Sequence, residues 1–462
     1  MSPRPIQELF LEQFVKRKSQ LALFDSDSEV KYDDFSNLVF GIAKRLVEVD
    51  QQRIAVATKH DFETYASIIA IWLTGKTYVP LDFREQQISL SQKINDLDIR
   101  LVLSSHDIHF GPDEVEIIGT RGISSSIQSK FNLPHSDHLA YILSTSGTTG
   151  IPKYVPISYS NLNCFVDSFL DLDHGLKTDD RFLQFADLKF DMSIISILIP
   201  LCIGASICIL KEEENRSLHA IKLAQEHALT TLVCPPSMIH LLKPYFSEIS
   251  LPHLNHVFFG AETLTYDLMT DWSQCSPNAT NWNLYGPSEA GIFITAYKIK
   301  ELKSGSVPIG TAVKHQNVLL HDANEHGIGE IWVSGPQVFN GYLSDNEKDE
   351  IFEMHEDHLW FKTGDLAYQN EANELVFVKR KDRQIKSLGI RQNLEAMESS
   401  VAKLAGNRII QCRAFQQEKG LVISLVEIEG PYNEELASQI NQLPSDLRPA
   451  RIKFVESLSE WP

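Results

Sequence analysis

The stretch Arg53 to Leu81, RIAVATKHDFETYASIIAIWLTGKTYVPL, changes period twice. Arg53 to Ala57 is a short apolar run and reads as a strand. His60 to Leu73 carries apolar residues at helical spacing, and Gly75 stands where a C-terminal cap belongs. Tyr78 to Leu81 is strand-like again. Strand, helix and strand in succession form a unit of parallel sheet covered by helices. The same alternation runs outward in both directions. Phe35, Leu38, Val39, Ile42, Leu46 and Val47 keep helical spacing, and Arg100 to Leu103 reads as a strand. Later, Ser217 to His227 reads as helix, Thr230 to Cys234 as strand, Met238 to Leu242 as helix and His256 to Phe259 as strand. The predicted fold class is α/β, with parallel-rich sheets that take ligands at the carboxyl ends of their strands.

The pattern changes near residue 380. Glu374 to Val378 reads as a last strand, followed by the charged run KRKDRQIK. Beyond it, Asn393 to Leu404 and Asn433 to Leu443 read as helices. Arg408 to Phe415, Leu421 to Ile428 and Ile452 to Val455 read as strands. The expected division is a large domain over residues 1–380 and a small α+β lobe over 381–462. A charged, apolar-poor junction between two cores suits a hinge.

Charge and cysteine usage exclude some functions. Lys plus Arg minus Asp plus Glu is 42 − 61 = −19, which disfavours a general nucleic-acid or anionic-membrane binder. The six cysteines are far apart and form no CxxC pair, so a reducing, cytoplasmic compartment is expected. Ser193 to Leu210 is uncharged, but Pro200 and Gly204 interrupt it. It reads as a buried helix and a buried strand, with no membrane span.

Chemistry concentrates in Tyr141 to Lys153, YILSTSGTTGIPK. Gly147 and Gly150 free backbone N–H groups to turn toward an anion. Ser144, Thr145, Ser146, Thr148 and Thr149 add hydroxyl donors, and Lys153 adds charge. Together they make a phosphate cradle. The Walker pattern GxxxxGK[ST] is absent.

This string resembles the phosphate loop of adenylate-forming enzymes, a superfamily of acyl-CoA ligases, luciferases and amino-acid-activating adenylation domains. Further segments match in order: WLTGKTYVPLD (Trp72 to Asp82), NLYGPSEAG (Asn283 to Gly291), GEIWVSGPQVFNGYL (Gly329 to Leu343), FKTGDL (Phe361 to Leu366) and KRKDRQIKSLGIRQNLEAME (Lys379 to Glu398). The resemblance covers roughly residues 30–460 and implies ATP and Mg²⁺ as cofactors. By it, Thr145, Ser146, Thr148, Thr149 and Lys153 steady the triphosphate. Tyr285 offers its face to adenine and Asn283 an amide to the base edge. Gly260, Ala261 and Gly286 let the chain pass close to the nucleotide. Ser288 bonds a phosphate and Glu289 holds the metal. Asp365 accepts the ribose hydroxyls, and Arg380 approaches ribose or phosphate. Asp382 is the hinge aspartate, and Lys386 acts on the thiol-transfer face.

Lys189-Phe190-Asp191-Met192-Ser193 resembles the FDxS element of amino-acid-activating members, which implies that Asp191 pairs with an α-ammonium. The bare alternative is that Asp191 caps the helix that follows. In the same register Met192, Ile195, Val233, Val257, Phe259, Leu284, Ile292 and Phe293 line the side-chain pocket. All are apolar, and a phenyl ring at Phe259 is expected to shorten the cavity. The expectation is a small apolar amino acid, activated as its adenylate and passed to the phosphopantetheine thiol of a carrier protein. An acyl-CoA ligase and a catalytically impaired nucleotide-binding protein are the alternatives. The family's late lysine, in a GK[VI]DR-like loop, has no match before Pro462, so the small lobe is expected to be incomplete at its end.

Overall fold

The computed structural model describes residues 3–85, 87–108, 115–125, 131, 133–145, 153–211, 215–343, 351–387, 390–406, 408, 410–416, 422–443 and 447–456. Two helix-covered sheets dominate. The six-stranded sheet runs Glu116–Gly119, Leu101–Ser104, Arg53–Ala57, Thr77–Leu81, Leu139–Thr145, Lys153–Ser158, and only its last pair is antiparallel. The nine-stranded sheet has a parallel centre in the order Thr280–Tyr285, His256–Phe259, Thr231–Cys234, Arg181–Gln184, Ser206–Ile209, Leu21–Phe24. Antiparallel strands flank both of its edges.

Both faces of both sheets are apolar, as parallel sheets require. Ile54 and Val56 share one buried cluster with Phe182, Ile207 and Phe258, and that cluster includes residues of helices Tyr32–Val47, Phe62–Leu73, Tyr159–Leu170 and Met192–Ile203. These helices fill the layer between the sheets. Ala55, Ala57, Val79 and Leu81 face a second cluster with helix Gln87–Asp96. Leu232, Val257 and Phe259 face a third, with helices Arg216–Glu226 and Tyr266–Cys275. The core is thus five alternating layers, which matches the expected α/β class.

Local chemistry explains the boundaries. Asp61 caps helix Phe62–Leu73 by accepting from the Thr64 N–H. Just past that helix Gly75 has φ +70°, while the Lys76 N–H bonds Ile71 O. The uncharged run at Ser193 splits as expected: helix Met192–Ile203 stops at Gly204, φ +82°, and strand Ser206–Ile209 follows. Among the described residues no helix is long and apolar enough to cross a membrane.

One sheet was not anticipated. Asn317–His321, Gly329–Ser334, Phe352–His355, His358–Gln369 and Leu375–Arg380 form a five-stranded antiparallel sheet. Reading only Glu374 to Val378 as strand missed it, because strands such as Phe352–His355 and His358–Gln369 mix buried and exposed positions, and the fully buried Gly329–Ser334 carries a glutamate and a serine among its apolar residues. Beyond it, Gln384–Ser387 and Ile390–Asn393 pair as a ribbon inside the charged junction. The small lobe follows: three strands, Ile410–Gln416, Val422–Glu429 and Arg451–Val455, with helices Leu394–Ala405 and Glu434–Asn441. It has its own core of Met397, Val401, Cys412, Val426, Ile428 and Ile440.

The two large sheets are tied together at their carboxyl ends. Asp82, just after Thr77–Leu81, receives Arg84 Nε at 2.7 Å and Lys189 Nζ at 3.3 Å. Lys189 also lies 3.5 Å from Glu85, and Arg84 reaches Asp187 at 3.0 Å. Burial alone would raise the Asp82 pKa, but the Arg84 hydrogen bond and the charges of Lys189 and Arg84 hold it at about 2. Burial likewise pulls Lys189 down, and Asp187, Asp82 and Glu85 more than offset it.

A folded-state pKa below the ordinary 3.8 stabilises the fold at high pH and ceases to do so as pH falls. Chemical denaturation of wild type and Asp82→Asn should differ by about 2 kcal/mol at neutral pH, the gap closing between about pH 4 and pH 2. A gap independent of pH would show that the Asp82 charge does not join the sheets.

Candidate active site

Strands Leu139–Thr145 and Lys153–Ser158 are antiparallel, and Thr145 faces Lys153 across the ladder. Ser146, Gly147, Thr148, Thr149 and Gly150, the expected phosphate cradle, lie outside the described residues. Lys153 Nζ sits 4.9 Å from the centre of the Tyr342 ring, and the Tyr342 hydroxyl donates to Glu289 Oε1 at 2.7 Å. Glu289 stands in the short turn Ser288–Ala290 and is 1% exposed. Its carbonyl accepts from the Phe339 N–H at 2.8 Å. Lys153 and Glu289 therefore come together, with Tyr342 between them. The sequence reading quoted Tyr342 without giving it a role; its only signal was its place after Gly341 in the matched segment.

A second cluster forms where His358–Gln369 pairs with Leu375–Arg380. The register sets Asp365 opposite Arg380. Arg380 Nη1 donates to Asp365 Oδ1 at 2.7 Å, and the Tyr285 hydroxyl donates to Asp365 Oδ2 at 2.6 Å. Arg380 also grips Asp382, through Nε at 2.8 Å and Nη2 at 2.9 Å. Burial alone would weaken the Arg380 charge, but Asp382 and Asp365 outweigh it and push its pKa up. Burial and then the Asp365 charge push the Tyr285 phenol well above its usual range. Gly364 has φ +72°, and a Cβ there would stand 2.9 Å from Arg380 Nη2. Tyr285, Asp365, Arg380 and Asp382 are thus one connected unit. Asn283 is buried, and its Nδ2 donates to the carbonyls of Pro308 (2.9 Å) and Val307 (3.4 Å). Its amide nitrogen is therefore engaged in pinning that strand.

The third cluster surrounds Asp191. It occupies the N-cap position of Met192–Ile203 but makes no capping bond. The Ser288 hydroxyl donates to its carboxylate instead. Ser288, expected on a phosphate, thus meets Asp191 here. The Tyr141 hydroxyl is buried without a hydrogen-bond partner, and burial together with the Asp191 charge raises its pKa.

The pocket register needs one correction. Val233 pairs with Phe258 and Phe258 with Trp282, so these share a face with Leu284. Met192, Ile195, Ile292 and Phe293 belong to the same buried layer. Val257 and Phe259 point to the opposite face, among Leu264 and Trp272. A strand alternates, so a one-residue error in register exchanges faces. Phe258 and Gly260 are the residues that face Met192 and Leu284: a Cβ on Gly260 would meet Met192 Cε at 3.7 Å and Leu284 O at 3.5 Å. Phe258 contacts Phe169, with ring centres 5.1 Å apart, and Phe169 contacts Phe293 at 5.9 Å. The strand parity was the available signal. Ala261 has φ +69°, and Gly286 packs so tightly that a Cβ would lie 2.5 Å from Phe293 Cα.

In the junction, Lys386 pairs with Arg391 along the backbone, and its side chain lies outside the described part of the chain. The Gln384 N–H donates to Asp382 Oδ1 at 3.0 Å, which ties the ribbon to the Arg380 unit. All six cysteines are buried free thiols.

Known proteins resemble this chain. Residues 10–343 match the family described as AMP-binding enzyme. The nonribosomal peptide synthetase IvoA of Emericella nidulans is 27% identical over 419 residues, covering 86% of this chain and 24% of that protein. The D-alanine–D-alanyl carrier protein ligase of Lactiplantibacillus plantarum is 29% identical over 369 residues, covering 74% of this chain and 71% of the ligase. The chain spans about a quarter of the synthetase's length. Among solved structures, the Vibrio cholerae adenylation domain AlmE, in complex with glycyl-adenosine-5'-phosphate, superposes with a TM-score of 0.86. It is 24% identical and covers 98% of this chain and 95% of its own, a likeness of fold. With the family match spanning 10–343 and these clusters in the order the motifs set, the chain belongs to the AMP-binding enzyme family.

Proposed function

We propose that this protein activates a small apolar amino acid as its aminoacyl-adenylate and passes it to the phosphopantetheine thiol of a carrier protein. The observation that carries the reading is Asp191. A carboxylate at a helix start ordinarily caps that helix. This one does not; it accepts instead from the Ser288 hydroxyl, beside the apolar layer that holds Met192. Such a carboxylate can take a charge-assisted hydrogen bond from an α-ammonium.

The amino-acid carboxylate oxygen attacks the α-phosphorus of ATP, and pyrophosphate leaves with the bonding electron pair. A thiolate then attacks the acyl carbon and AMP leaves. Positioning and charge neutralisation do most of the work in such transfers. Thr145, Ser146, Thr148, Thr149, Lys153 and the loop glycines Gly147 and Gly150 hold the triphosphate. Tyr285, Gly260, Ala261 and Gly286 bound the adenine, and Asp365 with Arg380 takes the ribose. A buried carboxylate of hard oxygen donors beside the phosphates suits Mg²⁺, so Glu289 would hold it, steadied by Tyr342. When bound, the ion offsets charge on the triphosphate. The chain divides at 380/381, with Asp382 as hinge and Lys386 serving the thiol-transfer face.

The case for a small substrate moves from Phe259 to Phe258. Phe258, Phe169 and Phe293 fill the space beneath Met192 and Leu284. The two relatives whose names include D-alanine and glycyl-adenosine phosphate support the same size class.

An amino-acid-dependent ATP–pyrophosphate exchange panel should favour glycine, alanine or another short aliphatic acid. A preference for tryptophan or glutamate would remove the reading. Asp191→Ala should lower kcat/KM for the amino acid by about a hundredfold or more while leaving the ATP KM near wild type. Free coenzyme A and a carrier protein, offered separately, should discharge the adenylate poorly and well, respectively.

Phe258→Leu should shift the exchange profile toward longer aliphatic side chains, at a stability cost of about 1–3 kcal/mol. Phe259→Leu, on the other face, should leave the profile unchanged. The reverse result would restore the earlier register.

A further inference from the structure

We propose that Lys362 is a second anchor for the phosphate tail and receives the pyrophosphate as it leaves. This rests on the adenylation reading above. A cavity of about 340 Å³ lies between the Thr145–Lys153 ladder, Glu289 and the strand that carries Asp365. Its wall holds four cations: Lys153, Lys362, Arg380 and Lys381.

Their surroundings set them apart. Arg380 is locked to Asp365 and Asp382 at 2.7–2.9 Å. Lys381 Nζ is 2.9 Å from Glu330, a carboxylate that also accepts from Trp332 and from the Gly364 N–H. Burial raises the Glu330 pKa, and Lys381 and Trp332 more than offset it. Those two cations are neutralised where they stand. Lys362 is held loosely. Among the described residues its nearest carboxylate is Glu353 at 3.6 Å, itself half exposed, and none of them holds the ammonium in a hydrogen bond. An anion entering the cavity can recruit Lys362 by displacing only its long contact with Glu353, whereas Arg380 and Lys381 would each have to leave a hydrogen-bonded carboxylate.

Lys362 also lies on the right strand. It stands three residues before Asp365 in His358–Gln369, a separation of about 10 Å along extended chain. Lys362 lines the cavity together with Lys153 and Glu289, and Arg380, the partner of Asp365, lines it as well. As the bond from the α-phosphorus to the leaving oxygen breaks, negative charge collects on the pyrophosphate. A lysine that swings as a flexible point charge suits a group that must be caught and then released.

The test uses the full chain and two probes, Mg·pyrophosphate and AMP, each titrated without amino acid. Lys362→Gln should weaken pyrophosphate about tenfold and leave AMP within about twofold, since AMP lacks the departing phosphates. Lys362→Arg should recover most of the pyrophosphate affinity. In exchange assays the pyrophosphate KM should rise while the amino-acid KM holds. Unchanged pyrophosphate affinity in Lys362→Gln, an equal loss of AMP, or no pyrophosphate binding by wild type would overturn the assignment. A wild type that binds pyrophosphate in a Lys362-dependent way yet exchanges with no amino acid would support the anchor and remove the substrate class instead.

Discussion

A carboxylate as deeply buried as Asp365 needs partners on both oxygens, and the elements around it are arranged to supply them. Tyr285 takes one oxygen and Arg380 the other. Because Arg380 also holds Asp382, whatever displaces it from Asp365 changes its hold on the junction. The arrangement follows from a hairpin: the register that pairs His358–Gln369 with Leu375–Arg380 puts Asp365 and Arg380 directly opposite. Glycine suits position 364 because its φ of +72° is a conformation that side chains rarely adopt, and a Cβ there would stand 2.9 Å from the Arg380 guanidinium. The Lys381 N–H bonds Gly364 O, so the same hairpin end fixes where the charged run begins.

A second constraint comes from the layers. The nine-stranded sheet is apolar on both faces, so hydrophobicity alone does not distinguish Phe258 from Phe259. One ring borders the pocket and the other packs against helix Tyr266–Cys275 and its neighbours. The pairs Val233 with Phe258 and Phe258 with Trp282 decide between them, and only the folded register shows those pairs.

This is why the fold was largely legible in the sequence and the pocket only partly so. Strands such as Arg53–Ala57 and His256–Phe259 announce themselves, because burial on both faces leaves an unbroken apolar run between turn residues. The five-stranded antiparallel sheet did not, since strand Phe352–His355 and much of His358–Gln369 alternate or face solvent. A single charged residue in apolar context was readable: Asp191 stood out as a side chain needing a partner, whereas Asp365 was picked out only by the resemblance of its motif. Tyr342 was not, because an aromatic residue after a glycine looks like core until its hydroxyl is seen on Glu289. Ser288 was read toward phosphate and meets Asp191, a contact between residues 97 positions apart.

The pocket wall is made of backbone as much as of side chains. Ala261 and Ile292 both have positive φ, at +69° and +83°. For a β-branched residue that conformation is strained by about 1–2 kcal/mol and persists only where packing over-determines it. Here it does: Ile292 O and Phe293 Cα press on Gly286, the Ile294 N–H bonds Tyr285 O, and Phe293 is wedged between Phe165 and Phe169. The segment after Tyr285 therefore cannot relax without disturbing the tyrosine that holds Asp365. Ile292, Phe293 and Tyr285 share one rigid turn, so the tyrosine that holds Asp365 and the apolar layer beside it are kept in fixed relation by the chain that joins them.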